Sequence, residues 1–133
     1  ATTQSPVDES VVIKSGSEGE GEVRLAGKRY RVVWAEGSSS DSAEGDEAVF
    51  DLAGLSFPLE VRGRAPGDRL RSSVGSRKLK KVMLEHRIPQ RRREMMPVLV
   101  DARGEVLWIP GVTRSMGAKS KVGAPSLRIR IFP

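Results

Sequence analysis

Short segments in which apolar and polar residues alternate recur along this chain, and each is bounded by glycine, proline or polar turn residues. Residues 23–34 hold two such segments on either side of Ala26-Gly27-Lys28-Arg29, a pattern that predicts a β-hairpin with one shared apolar face. A second hairpin is predicted over residues 98–109, and residues 57–62 and 127–131 alternate in the same way. The alternation therefore favours a mostly antiparallel sheet.

One stretch departs from the two-residue period. Leu79, Val82 and Met83 recur at helical spacing among basic residues, which predicts a short amphipathic helix. Ile88 precedes Pro89, and because proline suits the first turn of a helix, a second helix is expected from Pro89 to about Met96. The predicted fold class is α+β: a mostly antiparallel, β-sandwich-like sheet with a short helix-turn-helix insert.

The chain is expected to form one domain with two polar segments. Residues 1–21, which end in a run of serine, glycine and glutamate, are predicted to be a flexible N-terminal segment. Residues 22–133 are predicted to form the single α+β domain. Within it, residues 36–47 are too polar to pack and are expected to form a mobile acidic loop. Because the sequence begins with Ala1 and not with methionine, we expect a piece of a longer chain.

The sequence predicts a cytoplasmic protein with no membrane partner. No apolar run approaches the roughly 20 residues that cross a bilayer. The N-terminal residues lack the basic and apolar regions of a signal peptide. The chain has no cysteine, which agrees with a reducing compartment.

Charge is distributed unevenly along the chain. Residues 1–57 hold 5 basic and 11 acidic side chains, a net charge of −6, whereas residues 58–133 hold 18 and 6, a net charge of +12. Between Arg62 and Arg93 there are 12 basic residues against Asp68 and Glu85. This concentration of positive charge favours a polyanionic partner. Nucleic acid is favoured over a membrane surface, because glycine and proline interrupt the basic residues and no long amphipathic helix carries them.

Catalytic chemistry is scarce in this sequence. His86 is the only histidine, and no cysteine is present, so no nucleophile with a base and no transition-metal cluster can be assembled from the sequence pattern. Asp68 lies in a turn close to Arg69 and Arg71, where it is expected to anchor an arginine and not to act as a general base. The residues themselves therefore predict a binding module with no catalytic and no metal-binding residue.

Several motifs in one order resemble the C-terminal domain of tRNA(Ile)-lysidine synthetase over about residues 48–131. The motifs are Phe57-Pro58-Leu59-Glu60-Val61-Arg62, Pro66-Gly67-Asp68-Arg69, Lys78-Leu79-Lys80, Ile88-Pro89, Arg93, Pro97-Val98-Leu99-Val100 and Val106-Leu107-Trp108-Ile109-Pro110-Gly111. The resemblance implies a fold similar to a module of the phenylalanyl-tRNA synthetase β chain. It also implies a domain that grips the tRNA body near its acceptor stem. The region from Arg114 to Val122 departs from the charged pattern of that family.

The same resemblance implies a bacterial ATP-dependent ligase whose full chain attaches lysine to the wobble cytidine of an isoleucine tRNA with a CAU anticodon. The Ser-Gly-Gly-x-Asp-Ser loop of that family's ATP-binding domain is absent from these residues. ATP and Mg²⁺ are therefore expected in a separate N-terminal catalytic domain. This segment is expected to hold no cofactor, to be non-catalytic alone and to have tRNA and that domain as its partners.

The predicted site consists of cations and of residues that set its shape. On the strand at 57–62 the alternation places Arg62 on the solvent side, and Arg64 follows on the same face. The predicted tRNA-binding residues are Arg62, Arg64, Arg69, Arg71, Lys78, Lys80, Lys81, Arg87, Arg91, Arg92 and Arg93. The predicted site-shaping residues are Pro66, Gly67, Asp68 and Pro89.

Two functions of other classes stay open. A free-standing duplex nucleic-acid-binding protein could use the helix pair at 78–96, and it would bind DNA as well as tRNA. Alternatively, a non-catalytic protein-interaction module could use its acidic segment at 36–47, folded back on its own basic residues or onto another subunit. Few aromatic residues are present, and they lie at strand-period positions, so a duplex read by its backbone and shape is favoured over unpaired bases.

Overall fold

The computed structural model of this protein describes residues 10–38, 47–72, 75–114 and 125–133, which form two β-sheets and two short helices. In chain order the strands are β1 (Val11–Ile13), β2 (Gly19–Leu25), β3 (Lys28–Ser38), β4 (Glu47–Asp51), β5 (Leu59–Gly63), β6 (Arg69–Ser72), β7 (Gly75–Lys78), β8 (Pro97–Val100), β9 (Glu105–Ile109), β10 (Thr113–Arg114) and β11 (Pro125–Phe132). The helices are α1 (Leu79–Glu85) and α2 (Gln90–Arg93), and Leu52–Gly54 forms a single 3₁₀ turn.

The larger sheet has seven strands in the order β1-β5-β8-β9-β6-β7, with β10 paired to β9. The smaller sheet has four strands in the order β2-β3-β11-β4. The pairing of β6 with β9 is parallel, and the other strand pairs in the described residues are antiparallel. The prediction of a mostly antiparallel sheet with few helices is confirmed.

A first apolar core lies between the two sheets. Alternate residues of β11, from Leu127 to Ile131, are buried in it, as the period of two predicts. Phe50 of the smaller sheet and Trp108 of the larger sheet meet edge to face, with ring centroids 6.3 Å apart. Burying one such side chain stabilises the fold by about 1.5–3 kcal/mol, so this core holds the sheets face to face.

A second apolar core lies on the opposite face of the larger sheet. Leu79, Val82 and Met83 of α1 are buried there against residues of β8 and β9 that include Val98 and Val106. This contact fixes the apolar side of α1 to the sheet. The lysine residues at the start of the helix consequently remain exposed at the surface.

Both predicted hairpins are present. The turn between β2 and β3 consists of Ala26 and Gly27, with φ values of 49° and 87°, which match the left-handed conformation that short hairpin turns require. In the turn between β8 and β9, the Asp101 side chain accepts hydrogen bonds from the backbone N–H groups of Arg103 and Glu105, each at 3.0 Å. Local turn chemistry therefore identified these two connections correctly.

The predicted flexible segment at residues 1–21 is wrong where the structure describes it. Val11 and Ile13 are buried in the first core, and β1 pairs with β5. Strand β2 already begins at Gly19, inside the run that composition assigned to a linker. A three-residue strand has too short a pattern to be recognised locally, and its stability comes from packing between the sheets. Residues 1–9 lie outside the described residues.

The predicted mobile loop at 36–47 is wrong at both of its ends. Glu36 to Ser38 complete β3 and pair with the start of β11, and Glu47 opens β4. These polar residues lie in strands because the backbone pairing is supplied by β11, which is distant in sequence. Residues 39–46 lie outside the described residues.

The helical insert is smaller than predicted. Helix α1 lies where the spacing predicted a helix, whereas α2 is a single turn that ends at Arg93 and does not reach Met96. The structure thus shows one short helix and one further helical turn. The hairpin of β6 and β7 was not predicted, because basic residues occupy positions on both of its faces and hide the period of two. None of the helices in the described residues is long and apolar enough to cross a membrane.

Candidate nucleic-acid interface

A groove of about 440 Å³ opens where the β6–β7 hairpin meets the two helices. Its basic lining residues come from three separate stretches of the chain and are Arg64, Arg69, Lys78, Lys80 and Arg93. The rest of its lining consists of Ala65, Pro66, Gly67, Asp68, Leu79 and Gln90. Five cations thus face one acidic residue in this groove. Part of the excess positive charge between Arg62 and Arg93 is therefore concentrated on one concave surface.

The carboxylate of Asp68 is bound inside the turn that forms one wall of the groove. It receives two hydrogen bonds from Arg62, Nη1 to Oδ2 at 3.1 Å and Nη2 to Oδ1 at 3.0 Å, and a third from the backbone N–H of Ala65 at 2.7 Å. The Asp68 side chain is only 7% exposed. Because Arg62 neutralises it, this carboxylate opposes the groove cations less than its position alone suggests.

Backbone contacts connect this turn to the helix on the other side of the groove. The N–H of Leu79, the first residue of α1, donates to the carbonyl oxygen of Asp68 at 2.9 Å. Gly67 has a φ of 87°, a conformation that glycine adopts without strain. The sequence prediction that Gly67 and Asp68 lie in a turn agrees with this geometry. The turn and the start of α1 are therefore held at a fixed separation.

Arg62 occupies a different place from the one predicted. Its side chain is 22% exposed and is bound to Asp68 and to the carbonyl oxygen of Gly63, the latter at 2.7 Å. The hydrogen bond with Asp68, together with the charges of Asp68 and Glu60, raises the pKa of Arg62 although burial opposes this shift. The arginine expected to face solvent is instead the partner of Asp68, a role in which the sequence pattern predicted Arg69 or Arg71.

Two of the groove arginines are oriented by hydrogen bonds to neighbouring segments. Arg69 donates from Nε to the Ser76 hydroxyl at 2.8 Å and from Nη2 to the Ser76 carbonyl oxygen at 3.0 Å, across the β6–β7 hairpin. Arg93 donates from Nε to the carbonyl oxygen of Ile88 at 2.7 Å. Such bonds reduce the conformational freedom that these side chains would lose on binding a ligand.

Arg64 carries a buried donor with no partner in the part of the chain that the structure describes. Its Nε is enclosed by protein and makes no hydrogen bond there. A buried N–H without an acceptor is unfavourable, so an anion in the groove could satisfy this group.

Several other predicted residues that the structure describes do not line the groove. Lys81, Arg87, Arg91 and Arg92 are exposed on or next to the helices. Arg71 lies in β6, but its side chain is outside what the structure describes. Pro89 precedes the first residue of α2 and sets the start of that turn. Gln90, which does line the groove, was missed because it is neutral, and counting charges cannot detect it.

This arrangement is suited to binding. Arginine offers a planar set of donors that matches phosphate oxygens, and lysine offers a mobile point charge. His86 is exposed. Within the described residues, no group of three or more histidine, cysteine, aspartate or glutamate side chains could hold a metal ion.

Residues 59–131 match the family model described as the TilS substrate C-terminal domain. A tRNA(Ile)-lysidine synthase of Geobacillus kaustophilus is 43% identical over 75 residues, which cover 55% of this chain and 16% of that protein. The Listeria monocytogenes protein named Bifunctional protein TilS/HprT is 39% identical over 69 residues, 50% of this chain and 11% of that protein. The chain therefore spans between a tenth and a sixth of the length of these relatives.

A solved structure, the crystal structure of a TilS C-terminal domain, superposes with a TM-score of 0.70 at 29% sequence identity. The superposition covers 93% of this chain and 97% of that one. The likeness in structure thus extends beyond residues 59–131, into the strands that precede the family match. Both sheets belong to the shared fold.

Proposed function

This chain belongs to the family of TilS substrate C-terminal domains, and on that premise we propose that it is the tRNA-binding domain of a tRNA(Ile)-lysidine synthase. The observation that carries the proposal is the groove between the Pro66-Gly67 turn and the helices. Five cations line it, and the one carboxylate among its lining residues is bound to Arg62. A concave basic surface of this kind fits the phosphate backbone of an RNA duplex.

The rest of the proposed activity lies outside this chain. The relatives are named for lysidine synthesis, and this chain covers only a small part of their length. We assign ATP, Mg²⁺ and the transfer of lysine to the wobble cytidine to an N-terminal catalytic domain. In this scheme the present domain holds the body and acceptor stem of an isoleucine tRNA with a CAU anticodon, in the bacterial cytoplasm, while the other domain acts on the anticodon.

Binding measured across a salt series tests the proposal. The 133-residue chain is titrated with an isoleucine tRNA transcript that carries the CAU anticodon, with a different tRNA and a DNA duplex of equal length as competitors. The double variant R69A/K80A is expected to bind more weakly. Its plot of log affinity against log salt should be shallower by about 1.4–1.8, because each lost phosphate contact contributes about 0.7–0.9.

A matched control is available in the smaller sheet. Arg29 and Arg31 are each more than half exposed and face Glu22 and Glu20 at 3.6 and 3.7 Å. The double variant R29A/R31A removes the same charge but should keep the slope of the unsubstituted chain. Equal decreases of the salt slope in both double variants would overturn the proposal, as would a failure of the unsubstituted chain to bind tRNA at low salt. Equal affinity for the DNA duplex would support the free-standing duplex-binding protein instead.

A further inference from the structure

A second depression, of about 320 Å³, adjoins the groove. It shares Gly67 and Arg69 with the groove, and its opposite side is formed by Arg103, Gly104 and Glu105. The two sides meet because β6 pairs in parallel with β9, which places Arg69 opposite Glu105. Arg103, in the turn before β9, therefore lies on the same surface as the groove although it is distant from the basic segment in sequence.

Two of the residues that line this depression are glycines. Gly67 and Gly104 have φ values of 87° and 84°, and a Cβ added at either would meet no atom within 4 Å. Both turns require glycine for conformational reasons. The same absence of side chains leaves room for the backbone of a ligand to pass over the surface between Arg69 and Arg103.

Arg103 is held only loosely by its acidic neighbour. Its Nη2 lies 3.6 Å from Asp101 Oδ2, longer than an N–H···O hydrogen bond, and its side chain is 63% exposed. The Asp101 side chain is only 2% exposed, and its Oδ1 accepts hydrogen bonds from the backbone N–H groups of Arg103 and Glu105. The Arg103 guanidinium is exposed at this long separation, so it can turn toward a phosphate group while the backbone N–H groups keep the buried Asp101 carboxylate hydrogen-bonded.

We propose that Arg103 is a further phosphate-binding residue, and that the RNA backbone continues from the groove across Gly67 and Arg69 into the second depression. This inference rests on the proposed tRNA binding and extends its path. Glu105 is the one carboxylate among the residues that line this depression, which also include the two arginines.

The variant Arg103→Ala tests the inference in the 133-residue chain, again with the CAU isoleucine tRNA across a salt series. The salt slope should fall by about 0.7–0.9, the value for one lost phosphate contact. Arg103→Lys should restore most of that slope, because it keeps the charge. The fold should be retained in both variants, since the hydrogen bond to Asp101 is donated by the backbone N–H of residue 103. A thermal melt verifies this.

Arg29→Ala is the matched control. Arg29 matches Arg103 in the exposure of its side chain, 62%, and in the 3.6 Å distance to its carboxylate. It lies in the smaller sheet, and its partner Glu22 is 49% exposed whereas Asp101 is 2% exposed. Arg29→Ala should leave the slope unchanged. A slope in Arg103→Ala equal to that of the unsubstituted chain, or an equal loss in Arg29→Ala, would overturn the inference while tRNA binding itself stood. Failure of the unsubstituted chain to bind tRNA would overturn both.

Discussion

At the scale of single residues, the pair formed by Arg62 and Asp68 separates two kinds of arginine. Arg62 has its charge matched by a carboxylate that is largely buried, whereas Arg69 is oriented by neutral groups of Ser76. Only an arginine of the second kind presents an unneutralised charge to a ligand. We therefore expect Arg62 to position the turn and Arg69 to contact phosphate.

Replacing Arg62 with alanine should lower the free energy of unfolding by about 2–4 kcal/mol, because it leaves the Asp68 carboxylate buried without its partner. The salt slope of tRNA binding by the folded fraction should not change. Chemical denaturation and the salt series measure the two quantities separately. Arg29→Ala, which removes an arginine from an exposed pair, should change stability by less than about 1 kcal/mol. A stable Arg62→Ala protein with a reduced slope would make Arg62 a direct contact.

At the scale of secondary-structure elements, the groove depends on the turn from Ala65 to Asp68 as much as on the helices. The turn is closed by the hydrogen bond from the N–H of Asp68 to the carbonyl oxygen of Ala65, at 3.2 Å. It is joined to α1 through Leu79, and α1 is held on the sheet by its buried apolar residues. A change in the turn should therefore alter the separation of the two walls of the groove.

Gly67→Ala tests this role of the turn. It should destabilise the protein by about 1–2 kcal/mol, because a Cβ is unfavourable at a φ of 87° even where space is open. It should also weaken tRNA binding. Gly37→Ala is the control: a Cβ there meets nothing within 4 Å and the φ is not positive, so stability should stay the same or rise by up to about 1 kcal/mol. Equal effects of the two changes would show that the turn conformation is unimportant.

At the scale of the whole molecule, three layers support the interface. The smaller sheet packs on one face of the larger sheet, and helix α1, which carries part of the groove, packs on the other. The central strands β8 and β9 contribute buried residues to both cores. The strands that precede the family match are thus part of the support on which the groove is built.

The first strand provides a test of this support. Ile13→Ala should lower the free energy of unfolding by about 2–4 kcal/mol, since Ile13 is fully buried between the sheets. Val12, its neighbour in β1, is 49% exposed, and Val12→Ala should change stability by less than about 0.5 kcal/mol. Denaturant titration of both variants measures the difference. Equally small losses of stability in both variants would contradict the packing of β1 and would support the flexible segment that composition predicts for residues 10–21.

The sequence by itself determined the features that are local in the chain. The period of two predicted the hairpins of β2–β3 and β8–β9 and the last strand, helical spacing predicted α1, and the ordered motifs from Phe57 to Gly111 pointed to the family. These succeeded because turn chemistry and alternation depend on residues a few positions apart.

Only the tertiary structure decided which residues meet. In the folded protein Arg62 is the partner of Asp68. Five of the predicted cations line one groove, and four others lie outside it: Lys81, Arg87, Arg91 and Arg92. The tertiary structure also brings Arg103 beside Arg69 through the parallel pairing of β6 and β9. Charge and periodicity indicate the chemistry and the local structure of a residue. Which distant residues come together depends on how the strands pair and how the sheets pack, and no local sequence pattern specifies that.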